Sequence, residues 1–299
     1  MRASWLIKLA GGHIFVADGA MGTRLQALGL QADLACEEAV LVRPDLVLAV
    51  HHQYYDAGAD ISTTNTFGAN RARLAARGLS NRVREINRRA GQLARAVCPA
   101  GRLVAGSIGP TGLNLEPLGP LSGEEALAMF SEQAEGLAEG GVDLLLVETM
   151  MSADEAEVAI RAARATGLPV AASMTFQAGP DGPRTPGGIS IEEAVERMGA
   201  AGADVIGANC GRGHADMVEV IERMRPLTRL PMIAQASAGI PQMVQDKLVW
   251  PETPVKIVDH VKRMLDAGLS IIGGCCGTGP EHIHTIRSIV NQHMFAERC

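Results

Sequence analysis

Eight short apolar runs, each followed by a longer stretch of helical period, constrain this chain more than any other feature of its sequence. They are His13–Gly19, Asp60–Phe67, Leu103–Pro110, Val142–Met150, Pro169–Phe176, Asp204–Gly211, Pro231–Gly239 and Ser270–Gly277, most of them rich in Val, Ile, Leu or Ala. Several are apolar without alternation, the pattern of strands covered on both faces, and their alternation with helices specifies repeated βα units on a parallel sheet. Such units close into a barrel or spread into an open doubly wound sheet. Eight units in 299 residues, with no Pro/Ser-rich linker and no low-complexity segment, favour an α/β fold of one domain, a (β/α)8 TIM barrel over residues 1–299. The open sheet is the alternative.

The helices announce their starts and ends. Ser122-Gly-Glu-Glu125, Ser152-Ala-Asp-Glu155, Ser190-Ile-Glu-Glu193 and Thr278-Gly-Pro-Glu281 fit the capping box, in which a hydroxyl and a carboxylate satisfy orphan N–H groups. Pro44 and Pro254 suit a first helical position, with Thr253 capping the second of these helices. Before the second, fourth, sixth and eighth runs stand Ala57-Gly-Ala-Asp60, Gly140-Gly-Val-Asp143, Ala201-Gly-Ala-Asp204 and Ala267-Gly-Leu-Ser270. Each places a glycine where a helix ends in the left-handed conformation.

Composition excludes several functions. Hydrophobic residues at 47% can bury a full core, but aromatics at 3% supply no stacking platform for single-stranded nucleic acid. A net charge of −6 without a Lys/Arg cluster repels phosphate backbones, so nucleic acid is not an expected partner. Lys8 interrupts the apolar N-terminus, no small-residue cleavage site follows, and no uncharged stretch is long enough to span a bilayer. A cytoplasmic protein without a membrane partner is expected, its six cysteines reduced.

The active site of a (β/α)8 barrel lies at the C-terminal ends of its strands. That rule selects Asp18, Asn65, Ser107, Glu148, Asn209 with Cys210, Ser237, and Cys275 with Cys276. Thiolates from strands six and eight can converge over the barrel mouth, with glycines 207, 211, 273, 274 and 277 letting the backbone bend to aim them. Adjacent side chains on a regular strand point to opposite faces, so Cys275 and Cys276 can share a ligand only where the strand breaks. Three cysteines with no evident fourth ligand suit tetrahedral Zn2+ with an open position; equally, free cysteines are often small buried hydrophobes. The glycine-rich segment 273–279, leading into a helix, has a rival reading as a phosphate cradle, although this gives no reason for two thiols in the loop. Cys36, Cys98 and Cys299 fall outside strand ends, and His51, His52, His282 and His284 fall within expected helices, where packing or solvated roles are commoner.

Six motifs, in order along almost the whole chain, resemble the homocysteine S-methyltransferase family, which includes the homocysteine-binding module of cobalamin-dependent methionine synthase and betaine- and S-methylmethionine-using enzymes. They are Asp18-Gly-Ala-Met-Gly-Thr-Arg24, Thr64-Asn-Thr-Phe67, Gly106-Ser-Ile-Gly-Pro-Thr-Gly112, Val147-Glu-Thr149, Gly207-Ala-Asn-Cys-Gly211 and Gly273-Gly-Cys-Cys-Gly-Thr-Gly-Pro-Glu-His282. The resemblance implies zinc on Cys210, Cys275 and Cys276, the catalytic centre, and a homocysteine pocket containing Asp18, Ser107 and Glu148; Gly19, Asn65 and Asn209 lie in the same motifs and complete the candidate substrate residues. Ser237 stands where the family usually has Asn, which implies a role for it outside the metal's own ligands.

The expected activity is zinc-dependent transfer of a methyl group to homocysteine, giving methionine, with methylcobalamin on a separate corrinoid protein as the leading donor. Betaine-using relatives cage a quaternary ammonium in aromatic rings; here Gly68 and Thr149 stand where two are expected, leaving Phe67 and Phe176. Betaine, S-methylmethionine or another small methylated compound remains an alternative donor, as does demethylation toward a corrinoid protein. A phosphate-binding aldolase-type barrel and a non-catalytic zinc-binding protein are the readings from other classes.

Overall fold

A computed structural model describes residues 4–31, 33–180, 182–245 and 247–296; Cys299 lies outside them. Strands β1 (Phe15–Val16), β2 (Ile61–Thr63), β3 (Leu103–Ile108), β4 (Leu144–Met150), β5 (Val170–Met174), β6 (Val205–Cys210), β7 (Met232–Ala236) and β10 (Ile271–Gly274) fall inside the eight apolar runs. They form one parallel sheet in the order β1-β10-β7-β6-β5-β4-β3-β2. A parallel bridge between Ala17 and Ile61 joins its ends. The result is a (β/α)8 barrel.

Two apolar layers hold it together. Phe15, Ala17, Ile61, Ala105, Leu144, Leu146, Val205, Ile233 and Ile271 fill the barrel, together with Trp5 and Leu9 from a helix at Ser4–Ala10. Trp5 meets Phe15 edge to face, so that helix plugs the end of the barrel where β1 begins. The alternate strand residues, among them Leu145, Val147, Ile206 and Ile272, pack outward against the helices.

Gly58, Gly141, Gly202 and Gly268 all have the positive φ expected of them. Pro44 is the first residue of helix Pro44–Asp56. Ser122 forms a reciprocal capping box with Glu125, and the Ser152 and Ser190 hydroxyls accept the expected backbone N–H groups. Two expectations fail. The Thr278 hydroxyl donates to the Ala236 carbonyl instead of capping the helix that starts at Pro280, because the loop it occupies is stitched to β7. Thr253 and Pro254 do not open a helix: the Lys256 N–H donates to the Thr253 carbonyl to close a turn that contains Pro254, and the helix begins at Val258. Between β7 and that helix the chain also forms an antiparallel hairpin, β8 (Gln242–Val244) with β9 (Lys247–Val249), that no alternation in the sequence announced.

Candidate metal and substrate site

The C-terminal ends of the strands open onto a cavity of about 380 Å³. Cys210 ends β6, and Cys275 and Cys276 follow β10 immediately. Their three sulfurs all lie within 4.8 Å of one another, with 4.0 Å between the Sγ atoms of Cys275 and Cys276. The strand breaks where the glycines allow it. At Gly274 a Cβ would fall 2.1 Å from Thr278 Cγ2, so only glycine lets the loop fold back this closely. The Cys275 N–H still donates to Ala236 O, and the Cys276 carbonyl accepts from the Ala238 N–H, both at 2.8 Å. Cys275 is thereby tied to the end of β7 and Cys276 to the residues just after it, while both side chains line the same cavity. Cys210 reaches the cluster through a left-handed backbone, φ 66°.

These sulfurs fit a soft divalent ion. A tetrahedral Zn2+ with Zn–S bonds of about 2.3 Å spaces its sulfurs about 3.8 Å apart, close to the separation found. The thiols of Cys275 and Cys276 hydrogen-bond to Cys210 and hold it far below the ordinary thiol range, while the same hydrogen bonds first, and then burial and the Cys210 charge, push their own ionisation upward. The first proton leaves easily and the next two are resisted. Only a cation among them makes three thiolates favourable together. Ser237 donates its hydroxyl to Cys210 Sγ at 3.6 Å, a contact to a ligand atom.

Two carboxyls face the same cavity. Asp18 accepts the Thr63 N–H at 2.6 Å and the hydroxyls of Thr63 and Ser62 at 2.8 and 3.0 Å, yet burial outweighs these bonds and raises its pKa to about 7. Glu148, which accepts the Ser107 hydroxyl, is also raised to about 7, by burial first and then by the charges of Asp18 and Cys210. Among the described residues, no Lys, Arg or His lines the cavity. A ligand's ammonium group would therefore meet two partly ionised carboxyls and no competing cation.

Asp18, Gly19, Asn65, Ser107, Glu148 and the three cysteines all line this cavity. A Cβ on Gly19 would meet the Thr278 carbonyl at 2.3 Å, so this position serves close approach of two loops. Asn65 donates its amide to the Cys36 carbonyl at 2.6 Å. Asn209 is placed differently: it is buried beneath the cavity, with its side chain bonded to Thr149 and Ser173. Glu37, Thr63 and Gln235 line the cavity without having been singled out from the sequence, and Cys36, set aside because it lies outside the strand ends, lines it too. Cys36 and Glu37 come from a short helical turn in the long β1–β2 connection, which no strand-end rule reaches. His51, on the buried side of its helix, holds Ser62 at 2.7 Å and so supports Asp18 from behind. His52 and His284 are exposed, and His282 is occupied by the Glu252 carbonyl and the Gly279 N–H.

The phosphate-cradle reading finds little support. Backbone N–H groups of Gly274, Cys275, Thr278 and Gly279 are all donated within the protein. The Glu281 carboxylate also lies against Gly279, at the helix start where an anion would sit.

Fold and site together define a barrel with three clustered cysteine thiols beside two carboxyls at the mouth of one cavity. Residues 15–290 match the homocysteine S-methyltransferase family model, and the chain belongs to that family. Methionine synthases of Mycobacterium tuberculosis and Mycobacterium leprae are each 32% identical, over 98% and 95% of this chain. The chain spans about a quarter of the length of these two relatives, 26% and 25%. The metallated form of the Escherichia coli homocysteine methyltransferase MmuM superposes with a TM-score of 0.79 at 25% identity, covering 94% of this chain and 98% of that one. A type I 3-dehydroquinate dehydratase from Clostridium difficile, 14% identical with a TM-score of 0.54 over 95% of this chain and 94% of that one, shares the fold alone. Among the described residues no helix is long and apolar enough to cross a membrane.

Proposed function

We propose that residues 1–299 form one homocysteine-binding unit that transfers a methyl group to the homocysteine thiol, giving methionine, with Zn2+ held by Cys210, Cys275 and Cys276. The observation that carries this reading is the convergence of three thiols within 4.8 Å of one another on the cavity that also exposes Asp18 and Glu148. An ordinary thiol with pKa near 8.5 is only a few per cent thiolate at neutral pH. Zinc, when bound, supplies the missing acidity by favouring the thiolate of a thiol substrate.

The chain's own residues do the rest. Asp18 and Glu148 receive the substrate ammonium, which favours their ionised forms and repays part of the burial that raised both pKa values. Ser107 fixes the Glu148 carboxyl, and its own N–H is held by the Thr64 hydroxyl at 3.0 Å. Asn65 holds the Cys36 carbonyl and thereby the wall opposite. Ser237 orients Cys210 Sγ without being needed as a ligand. A cavity of about 380 Å³ lies within the range of small-molecule sites.

The leading donor is methylcobalamin on a separate corrinoid protein, acting in the cytoplasm. An aromatic ammonium cage has little to build on. Phe67 lines the cavity but already carries the Arg73 guanidinium 5.4 Å from its ring centre, Phe176 does not line it, and the Gly68 N–H is taken by Glu37. The test is zinc-loaded protein incubated with homocysteine and, separately, methylcobalamin, a methylated corrinoid protein, betaine and S-methylmethionine. Methionine with the corrinoid donors supports the full reading; methionine with betaine alone reverses the choice of donor, and none with any donor overturns the activity.

A further inference from the structure

The geometry points to Asn209 as a positioning residue that locks the Glu148 carboxyl toward the substrate by clamping Thr149 in a left-handed conformation. The inference rests on the homocysteine reading above. Along β4, Leu144 and Leu146 point into the barrel and Leu145 and Val147 point out to the helices. Strict alternation would next send Glu148 in, Thr149 out and Met150 in. Instead Glu148 and Thr149 both line the cavity, and Met150 packs in the outer layer. The β4–β5 register shifts between Val147 and Met150, and Thr149 has φ 60°. One extra residue has been taken up in a bulge.

A β-branched residue resists that backbone, so the conformation persists only where the surroundings fix it. Asn209 does so with both ends of its amide. Its Oδ1 accepts the Thr149 N–H at 2.8 Å, and its Nδ2 donates to Thr149 Oγ1 at 2.6 Å. From β5, Ser173 donates to the same Oδ1 at 2.8 Å and fixes the amide's orientation. Asn209 is 1% exposed. Its polar atoms face these partners, whereas the next residue, Cys210, turns into the cavity by its own left-handed step. Cys210 is held independently: its carbonyl accepts the Ser237 N–H and its sulfur accepts the Ser237 hydroxyl. Loss of the clamp therefore bears on Glu148 and spares the metal cluster.

The experiment compares zinc-loaded wild type, Asn209→Ala, Asn209→Asp and Asn209→Ala/Thr149→Gly by calorimetric titration with homocysteine, with zinc stoichiometry measured on each. Asn209→Ala should raise the homocysteine Kd about tenfold, or about 1.4 kcal/mol, at unchanged zinc content. Adding Thr149→Gly should recover much of the affinity, because glycine adopts positive φ without the clamp. Asn209→Asp, which keeps the acceptor for Thr149 N–H, should fall between wild type and Asn209→Ala. An unchanged Kd in Asn209→Ala, or a loss that Thr149→Gly deepens, overturns the clamp. Failure of wild type itself to bind homocysteine would instead overturn the functional reading on which it rests.

Discussion

Replacing Glu148 by Gln should flatten part of the pH dependence of folding stability. Glutamine keeps an oxygen to accept the Ser107 hydroxyl but cannot ionise. Burial lifts the Glu148 pKa from 4.5 to about 7, so the folded chain retains a proton that the unfolded chain has already lost in that interval. Stability from this group is therefore fully present below pH 4.5 and is lost progressively as pH rises toward 7. At about 1.4 kcal/mol per pKa unit the whole shift amounts to roughly 3 kcal/mol, reduced to about 2 because the carboxyl opens onto a solvated cavity. Asp18 titrates in the same window and interacts with Glu148, so the difference between the two proteins reports Glu148 together with that coupling. Urea unfolding of zinc-loaded wild type and Glu148→Gln at pH 5 and pH 8 measures it. Wild type should lose about 2 kcal/mol more than the variant between the two pH values. Parallel losses would mean that Glu148 is already ionised in the folded protein.

The same Glu148→Gln protein should bind homocysteine about tenfold more weakly by calorimetry, since a charge-assisted hydrogen bond contributes roughly 1.5–3 kcal/mol; an equal Kd would give the carboxyl another task. Ser237→Ala removes a hydroxyl that contacts Cys210 Sγ, and zinc measured by atomic emission should remain stoichiometric; loss of the metal would make Ser237 a ligand. Gly274→Ala puts a methyl group 2.1 Å from Thr278 Cγ2, and should cost about 2 kcal/mol or more in thermal or urea unfolding; wild-type stability would show that the loop moves freely.

The barrel was legible because its signals are local and repeated. An apolar run, a capping serine such as Ser122 and a glycine such as Gly58 each report on a few neighbouring residues, and eight βα units supply them many times over. The cysteine cluster was legible because sulfur chemistry is written in residue identity and Gly273–Gly274 marks where β10 ends. What escaped depends on long-range contacts. Thr278 has the spacing of a cap, but its hydroxyl is captured by a carbonyl of β7, forty-two residues away in sequence. Asn209 sits at a strand end like the ligand-facing residues, and only the bulge in β4, sixty residues earlier, explains why its amide is spent on Thr149. Cys36 and Glu37 enter the cavity from a long connection whose path is set by contacts such as Asn65 to the Cys36 carbonyl and Glu37 to the Gly68 N–H.

The central claim is that three cysteines of this chain hold zinc where the substrate sulfur arrives. X-ray absorption at the zinc edge of the loaded protein, without and with homocysteine, tests it most directly. Three sulfur neighbours at about 2.3 Å, rising to four when homocysteine is added, is the expected result. A shell of nitrogen and oxygen alone, or a sulfur count that homocysteine leaves unchanged, would contradict the account.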